Sequence, residues 1–271
     1  MNGIINIYKE AGFTSFDVVA KMRGILKTRK IGHTGTLDPA AVGVLPVCVG
    51  NATKAVPFLM DHDKEYVAEL LLGVTTDTLD TTGQVLGTKP VNCGENEVRD
   101  AVMSFLGESR QIPPMYSAVK VDGKRLYELA REGKEVERKP RTIRIAELEI
   151  LKAELPVVRF RVVCSKGTYI RTLCQDMGEK LGCSGCMRSL ERTRVGRFGK
   201  DTAITLKELE RHRDEGTLDG VLLGADQVFG DFPAMTVREE FTKAADSGNK
   251  LKPDMLIQPR SFEDGEMLRL Y

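Results

Sequence analysis

The chain has 271 residues, of which 41% are hydrophobic and 29% charged; this supports a packed core and excludes a disordered or fibrous chain. No apolar run is long enough to cross a bilayer, and the N-terminal MNGIINIYKE lacks the charged-then-apolar layout of a secretory signal. Forty Lys and Arg against thirty-nine Asp and Glu leave a formal charge of +1, so the net charge selects no partner.

Residues 3–8 read as a strand. Thr14-Ser15 then offers an N-cap to a helix with Phe16, Val18, Val19, Met22, Ile25 and Leu26 at helical spacing. Periodicity vanishes from Arg29 to Pro46, where Gly32, Gly35, Gly43 and Pro39 predict a long loop. Residues 44–49 read as a strand, 52–60 as a helix, and the alternation in Lys64–Leu72 as a strand. A helix is expected over 97–106. Asp122-Gly123 predicts a tight hairpin turn within 117–125, and a short helix over 126–132 closes at Gly133. The clearest strands are 142–151 and Val157–Cys164, followed by a helix from about Thr168 to Leu181 with Gly182 as its stop. Thr205 and Glu208 form a capping box that opens another short helix. After Phe232-Pro233 a helix runs to Asp246, stopped by Gly248, and weak strand signals continue to Tyr271.

There is no internal repeat and no low-complexity tract. Strands and helices mix without βαβ alternation, so the expected class is α+β. The expected domains are 1–232 and a tail, 233–271, at the lower limit for independent folding.

Charge is segregated along this order. Lys21, Arg23, Lys27, Arg29 and Lys30 fall together without an acid. Arg188, Arg192, Arg194, Arg197 and Lys200 face Glu191 alone, and Arg138, Lys139, Arg141 and Arg144 form a third basic group. Acids pool instead over 208–231. Each run alone reads as a solvated face; together they raise the expectation of a polyanion ligand.

Common cofactor signatures are missing: there is no GxxxxGK[ST] and no GxGxxG after a strand. Cys183-x-x-Cys186 lacks the second pair a structural zinc needs, and His33, His62 and His212 lie elsewhere, so the cysteines read as small apolar side chains in a turn. All six cysteines read as reduced thiols in a cytoplasm. The richest segment is Gly32-His33-Thr34-Gly35-Thr36-Leu37-Asp38-Pro39. Pro39 disfavours the helical region at Asp38, which can then be held extended and presented into a cleft. Gly32 and Gly35 allow a ligand to come close to the backbone. The alternative is an Asp-Pro turn in which Asp38 satisfies local amides, with His33 on the surface. An ionised Asp38 in a cleft needs a cation. Ser165-Lys166-Gly167-Thr168-Tyr169-Ile170-Arg171 joins a strand to a helix and puts Arg171 in the first helical turn, a poor place for a cation unless an anion meets it. Arg171 is thus a candidate partner for Asp38; snorkelling to solvent is the alternative.

Taken together, these segments resemble the bacterial tRNA pseudouridine synthase family of the TruB type. The resemblance runs from about Asn6 to Arg197. It rests on Lys9 with Gly12-Phe13-Thr14-Ser15, on 32–39 continuing through Gly43-Val44-Leu45-Pro46 to Gly50-Asn51-Ala52-Thr53-Lys54, and on Lys64-Glu65-Tyr66. It continues with Thr76-Asp77-Thr78-x-Asp80-x-x-Gly83, the stretches 113–120 and 124–133, and 164–171. Glu10 departs from the Pro usual after the Lys.

The resemblance implies a mixed, mostly antiparallel pseudouridine-synthase core with flanking helices. It also implies that 233–271 is a C-terminal RNA-binding, PUA-like extension, short or truncated. The implied activity is isomerisation of the T-loop uridine at tRNA position 55. Asp38 would be the catalytic aspartate, Tyr66 would stack on the flipped base near the C5 proton, and Arg171 would pair with Asp38. Leu190 would line the uracil pocket and His33 would hold the T-loop. Lys9, Lys54 and Tyr169 are further candidates for substrate binding. The implied chemistry needs no cofactor or metal: the N1–C1′ bond breaks, the base turns and C5 bonds C1′, with Asp38 attacking covalently or removing a ribose proton to give a glycal. The expected partner is the tRNA T-stem-loop, met by basic stretches 21–30 and 187–200; the expected state is a cytoplasmic monomer without membrane contact. Two rivals are an RNA-binding protein on the same scaffold and a hydrolase pairing Asp38 with Asp77 or Asp80 around Mg²⁺. Loop capping is the reading favoured here for Asp77 and Asp80.

Overall fold

The structure, a computed structural model, describes residues 1–230, 232–257, 263 and 265–271. Apolar β1 (Gly3–Lys9) is buried along most of its length. Thr14 then caps α1 (Ser15–Leu26): its hydroxyl accepts from the Asp17 amide while the Asp17 carboxylate accepts from the Thr14 amide. β2 (Ile31–His33) and β3 (Val42–Val49) bracket the Asp38 loop. A 3-10 segment leads to α2 (Val56–Met60), then β4 (Lys64–Leu72), the β5 (Val74–Thr76) and β6 (Val85–Thr88) hairpin, α3 (Glu95–Met103) and β7 (Gly107–Gln111). β8 (Lys120–Val121) and β9 (Lys124–Arg125) close on Asp122 and Gly123, both at positive φ (50° and 84°), before α4 (Leu126–Arg131). Long β10 (Arg141–Glu154) and β11 (Val157–Cys164) precede α5 (Ile170–Lys180), β12 (Gly185–Val195) and β13 (Phe198–Gly199). After α6 (Leu206–Asp214) and α7 (Ala225–Val228) come β14 (Ala234–Val237), α8 (Thr242–Asp246), β15 (Leu256–Ile257) and β16 (Arg269–Leu270).

Nine strands form one sheet, in the order β1-β3-β12-β4-β11-β10-β7, with β2 on β3 and β13 on β12. Every pairing is antiparallel except β3 with β12. The fold is therefore α+β with a mixed, mostly antiparallel sheet. One apolar cluster joins Leu70, Phe160 and Val162 to Leu173 and Met177 of α5 and to Val98 and Val102 of α3. A second packs α1 and α6 against β1 and β3 through Ile5, Ile7, Met22, Leu45 and Leu209. β14, β15 and β16 build a separate small sheet, in the order β15-β14-β16, around Met235, Val237 and Leu256. Among the described residues no helix is long and apolar enough to cross a membrane.

Several sequence expectations need correcting. β12 lies at the centre of the sheet but was not predicted. Its register shifts between Met187 and Ser189 and again between Arg192 and Arg194, and these irregularities break the period-two pattern a strand would show. The expected long loop contains β2 and the start of β3. The expected helix over 52–60 is a 3-10 segment, Gly50–Ala55, followed by the short α2. The region after Pro233 opens with β14, and its helix is confined to Thr242–Asp246.

Candidate active site

Asp38 sits in the β2–β3 loop, which is held from both sides. The Leu37 amide donates to Ser15 Oγ at 2.9 Å, and the Pro39 carbonyl accepts from the Gly12 amide at 2.9 Å and from Lys9 Nζ at 3.3 Å. Where the loop enters β3, Gly43 is at φ +114°, and a Cβ there would lie 2.2 Å from the Arg192 carbonyl oxygen, so the parallel β3–β12 contact requires glycine.

α5 brings Arg171 to this loop. Its Nε lies 3.0 Å from Asp38 Oδ2 and its Nη2 3.3 Å from Oδ1, a two-point approach. The same guanidinium donates from Nη1 to the Thr78 carbonyl at 2.9 Å and from Nη2 to the Tyr116 carbonyl at 2.8 Å. Asp80 Oδ2 is 3.9 Å from Nη1. A cation in the first turn of a helix is thus matched by carboxylates. The Arg171 side chain is 7% exposed while that of Asp38 keeps 35%, so the pair is sealed on the arginine side and open on the aspartate side. Burial pushes the Asp38 carboxyl above the usual carboxylate range; Arg171 pulls it back, Asp80 adds to the rise, and the open side admits solvent that moderates it.

The remaining candidates divide into those beside Asp38 and those apart from it. Buried Tyr66, on β4, shares a cluster with Leu37; burial pushes its phenol up and Arg192 pulls it down. Leu190, on β12, pairs in register with Ala68 and packs half-buried against the same cluster. His33, half-buried at the end of β2, accepts from the Gly35 amide on Nδ1 at 3.3 Å, and burial lowers its pKa. Lys9 is wholly buried, its Nζ donating to the carbonyls of Glu10, Phe13 and Pro39, and burial brings it down to about 8. With Glu10 following it, Lys9 still has a fixed pose beneath the Asp38 loop. Tyr169 caps α5, its amide and carbonyl both held by the Gln111 side chain at 2.8 and 3.1 Å. Lys54 stands apart: it is exposed and lines a groove of about 550 Å³ with Asn2, Asn51, Phe58 and Phe229.

Arg192 overturns part of the charge reading. It is 1% exposed and directed at loop carbonyls, so it is no phosphate contact; Arg188 and Arg194 pair with Glu69 and Glu65, and Arg197 stays exposed. No periodic signal marked Arg192, because the strand carrying it is irregular. Asp77 accepts from the Gln84 amide and Asp80 from Thr78 Oγ1 and the Thr82 amide, so both cap their loop as expected. The approach of Asp80 to Arg171 went unread; it arises only because α5 packs across that loop. Cys183 and Cys186 are buried free thiols, as are Cys48, Cys164 and Cys174, and Cys93 is half-buried; burial pushes Cys48 and Cys164 up to about 12.

Asp38 and Arg171 thus form one acid–cation pair, closed on the arginine side and partly open at the carboxylate. Comparison with known proteins gives this chain a family. Residues 23–170 match the model of the TruB family pseudouridylate synthase (N terminal domain), and 171–229 match that of the tRNA pseudouridylate synthase B C-terminal domain. The tRNA pseudouridine synthase B of Alkaliphilus oremlandii is 49% identical over 100% of this chain and 90% of its own length. That of Lachnoclostridium phytofermentans is 54% identical over 94% of this chain and 85% of its own. Among solved structures, a chain of a Cbf5-Nop10-Gar1 complex is similar with a TM-score of 0.74 and 32% identity, covering 94% of this chain and 69% of that one. A chain of an H/ACA RNP bound to a substrate RNA containing 2′-deoxyuridine gives a TM-score of 0.75 and 27% identity, covering 99% and 74%. The chain belongs to the TruB family of pseudouridylate synthases, enzymes that isomerise uridine to its C-glycoside.

Proposed function

We propose that this tRNA pseudouridine synthase acts on the T-loop uridine at position 55, with Asp38 as the group that works at C1′. The observation that carries the reading is the Asp38–Arg171 pair, 3.0 Å apart, buried on the arginine side and open on the aspartate side. An anion so held can face a nucleoside that has left its stack. Flipping costs a few kcal/mol and calls for an aromatic or apolar receiving wall, and Tyr66 and Leu190 supply those types beside the loop. In this reading Tyr66 stacks on the uracil near the C5 proton, His33 holds the T-loop, Lys9 fixes the Asp38 loop from below, and Tyr169 borders the cleft at the start of α5. Lys54, on its separate groove, would meet RNA outside the cleft.

Exposed Lys21 and half-buried Arg23, lying against the rings of Phe13 and Phe16, would engage tRNA phosphates, so binding weakens as salt rises. The domain reading follows: 1–232 carries the chemistry, and 233–271 is a small RNA-binding extension. One complete copy of the site in one chain supports a monomer working where tRNA is, in the cytoplasm.

The test is unmodified tRNA labelled at uracil C5, incubated with the protein and excess chelator. The expected result is label release from a single T-loop uridine, abolished in Asp38→Asn while tRNA binding survives. Full turnover by Asp38→Asn contradicts the mechanism, and chelator sensitivity would favour the Mg²⁺ hydrolase instead.

A further inference from the structure

We propose that Arg192 is a positioning residue of the reaction, a buried cation that fixes the Tyr66 phenol and the backbone of the Asp38 loop in one frame. The inference rests on the reading of Asp38 and Tyr66 given above and extends it to a residue on the central strand.

Arg192 sits on β12 directly opposite Tyr66 on β4 and is 1% exposed. Its Nε donates to the Val44 carbonyl at 2.7 Å, Nη1 to that of Thr36 at 3.4 Å and Nη2 to that of Gly35 at 3.3 Å. Gly35 and Thr36 lie just before Asp38, and Val44 lies beyond it in β3, so one guanidinium holds the loop at both ends. The guanidinium faces Tyr66 across the β12–β4 pair, close enough that its charge pulls the phenol's pKa down. Among the described residues no carboxylate lies within ion-pairing distance of Arg192.

A buried cation without a counter-ion is costly unless its donors are satisfied by well-placed dipoles. The planar fork of arginine, with five donors and no acceptor, suits the arrangement seen: three carbonyls around one group that faces Tyr66. The other cation on this side, Lys64, lies two residues from Tyr66 on the same face of β4. Its Nζ is committed to the carbonyls of Met60 and His62. Arg192 is thus the cation that faces both the phenol and the loop.

The test is a double-mutant cycle on single-turnover pseudouridine formation, with tRNA affinity measured in parallel. Arg192→Gln is expected to slow the chemical step by roughly 100-fold, as displacement of a reacting group by about an ångström does, with affinity essentially unchanged. In a Tyr66→Phe background the same change should cost about tenfold or less, because the part transmitted through the hydroxyl is already gone. An equal loss in both backgrounds, or a loss confined to affinity, overturns the proposal. If Tyr66→Phe alone keeps the full rate, the hydroxyl carries nothing and this proposal falls, while the stacking read for the Tyr66 ring stands because Phe stacks as well; loss of rate only on removing the ring, in Tyr66→Ala, separates the two. Should Arg192→Gln fail to fold, Arg192→Lys carries the same cycle: it keeps the charge but not the fork, and its loss must likewise shrink when the hydroxyl is absent.

Discussion

The region around Asp38 and the small sheet after residue 233 are held together by different physics. Around Asp38, four buried cations, Lys9, Lys64, Arg171 and Arg192, donate to backbone carbonyls, most of them in loops. The C-terminal sheet relies on Met235, Val237 and Leu256, with Phe241, Ala245, Leu251 and Leu268 partly buried against them. Carbonyl-bound cations fix irregular backbone to within a narrow geometry, which is what the role proposed for Asp38 needs. A three-stranded sheet with so small a core is expected to open more readily than the main sheet. On the proposed reading, the contrast separates where the chemistry is set from where binding is tuned.

Phe160→Ala should disturb this contrast most. Phe160 is fully buried at the centre of the main cluster, so its truncation is expected to cost about 3–5 kcal/mol and to lower the unfolding temperature of the whole catalytic region. A loss within the noise of thermal denaturation would mean that this cluster does not carry the fold. Met235→Ala should cost about 2 kcal/mol, the low end for such a truncation, and should act locally. Hydrogen exchange over the described residues of 233–271 should quicken and tRNA affinity should fall several-fold while the single-turnover rate holds. A slowed chemical step would show the two regions to be coupled. The smallest effect concerns Asp176, on α5, whose carboxyl burial lifts to about 6. A raised carboxyl pKa means that the folded state holds the proton more tightly than the unfolded chain. The associated stability is therefore present below about pH 4 and is lost as pH rises toward 6. Asp176→Asn should accordingly raise the unfolding temperature at neutral pH and leave it unchanged in acid, and unfolding curves at both pH values check this.

The parts of the fold legible in sequence were those whose local chemistry agrees with their tertiary setting. β4 alternates cleanly because one face is buried, α1 is announced by Thr14 and Asp17, and the Asp122-Gly123 turn needs the positive φ those residues tolerate. Asp38 and Arg171 were legible for another reason: a carboxylate before proline and a cation in a first helical turn both demand a partner, and each is the other's. β12 was not legible, since two irregularities and a run of arginines disguise a central strand as a basic surface. Arg192 was misread with it, because burial is a property of the sheet and not of the residue. The approach of Asp80 to Arg171 likewise depends on α5 packing against a distant loop.

The account turns on an ion pair working in the chemical step. Arg171→Ala tests that most directly, with single-turnover pseudouridine formation and tRNA affinity measured on the same preparation. The expected result is a fall in rate of about 100-fold or more with the dissociation constant within a few-fold of the parent, the pattern of an interaction needed in the transition state. An unchanged rate with weakened binding would contradict it.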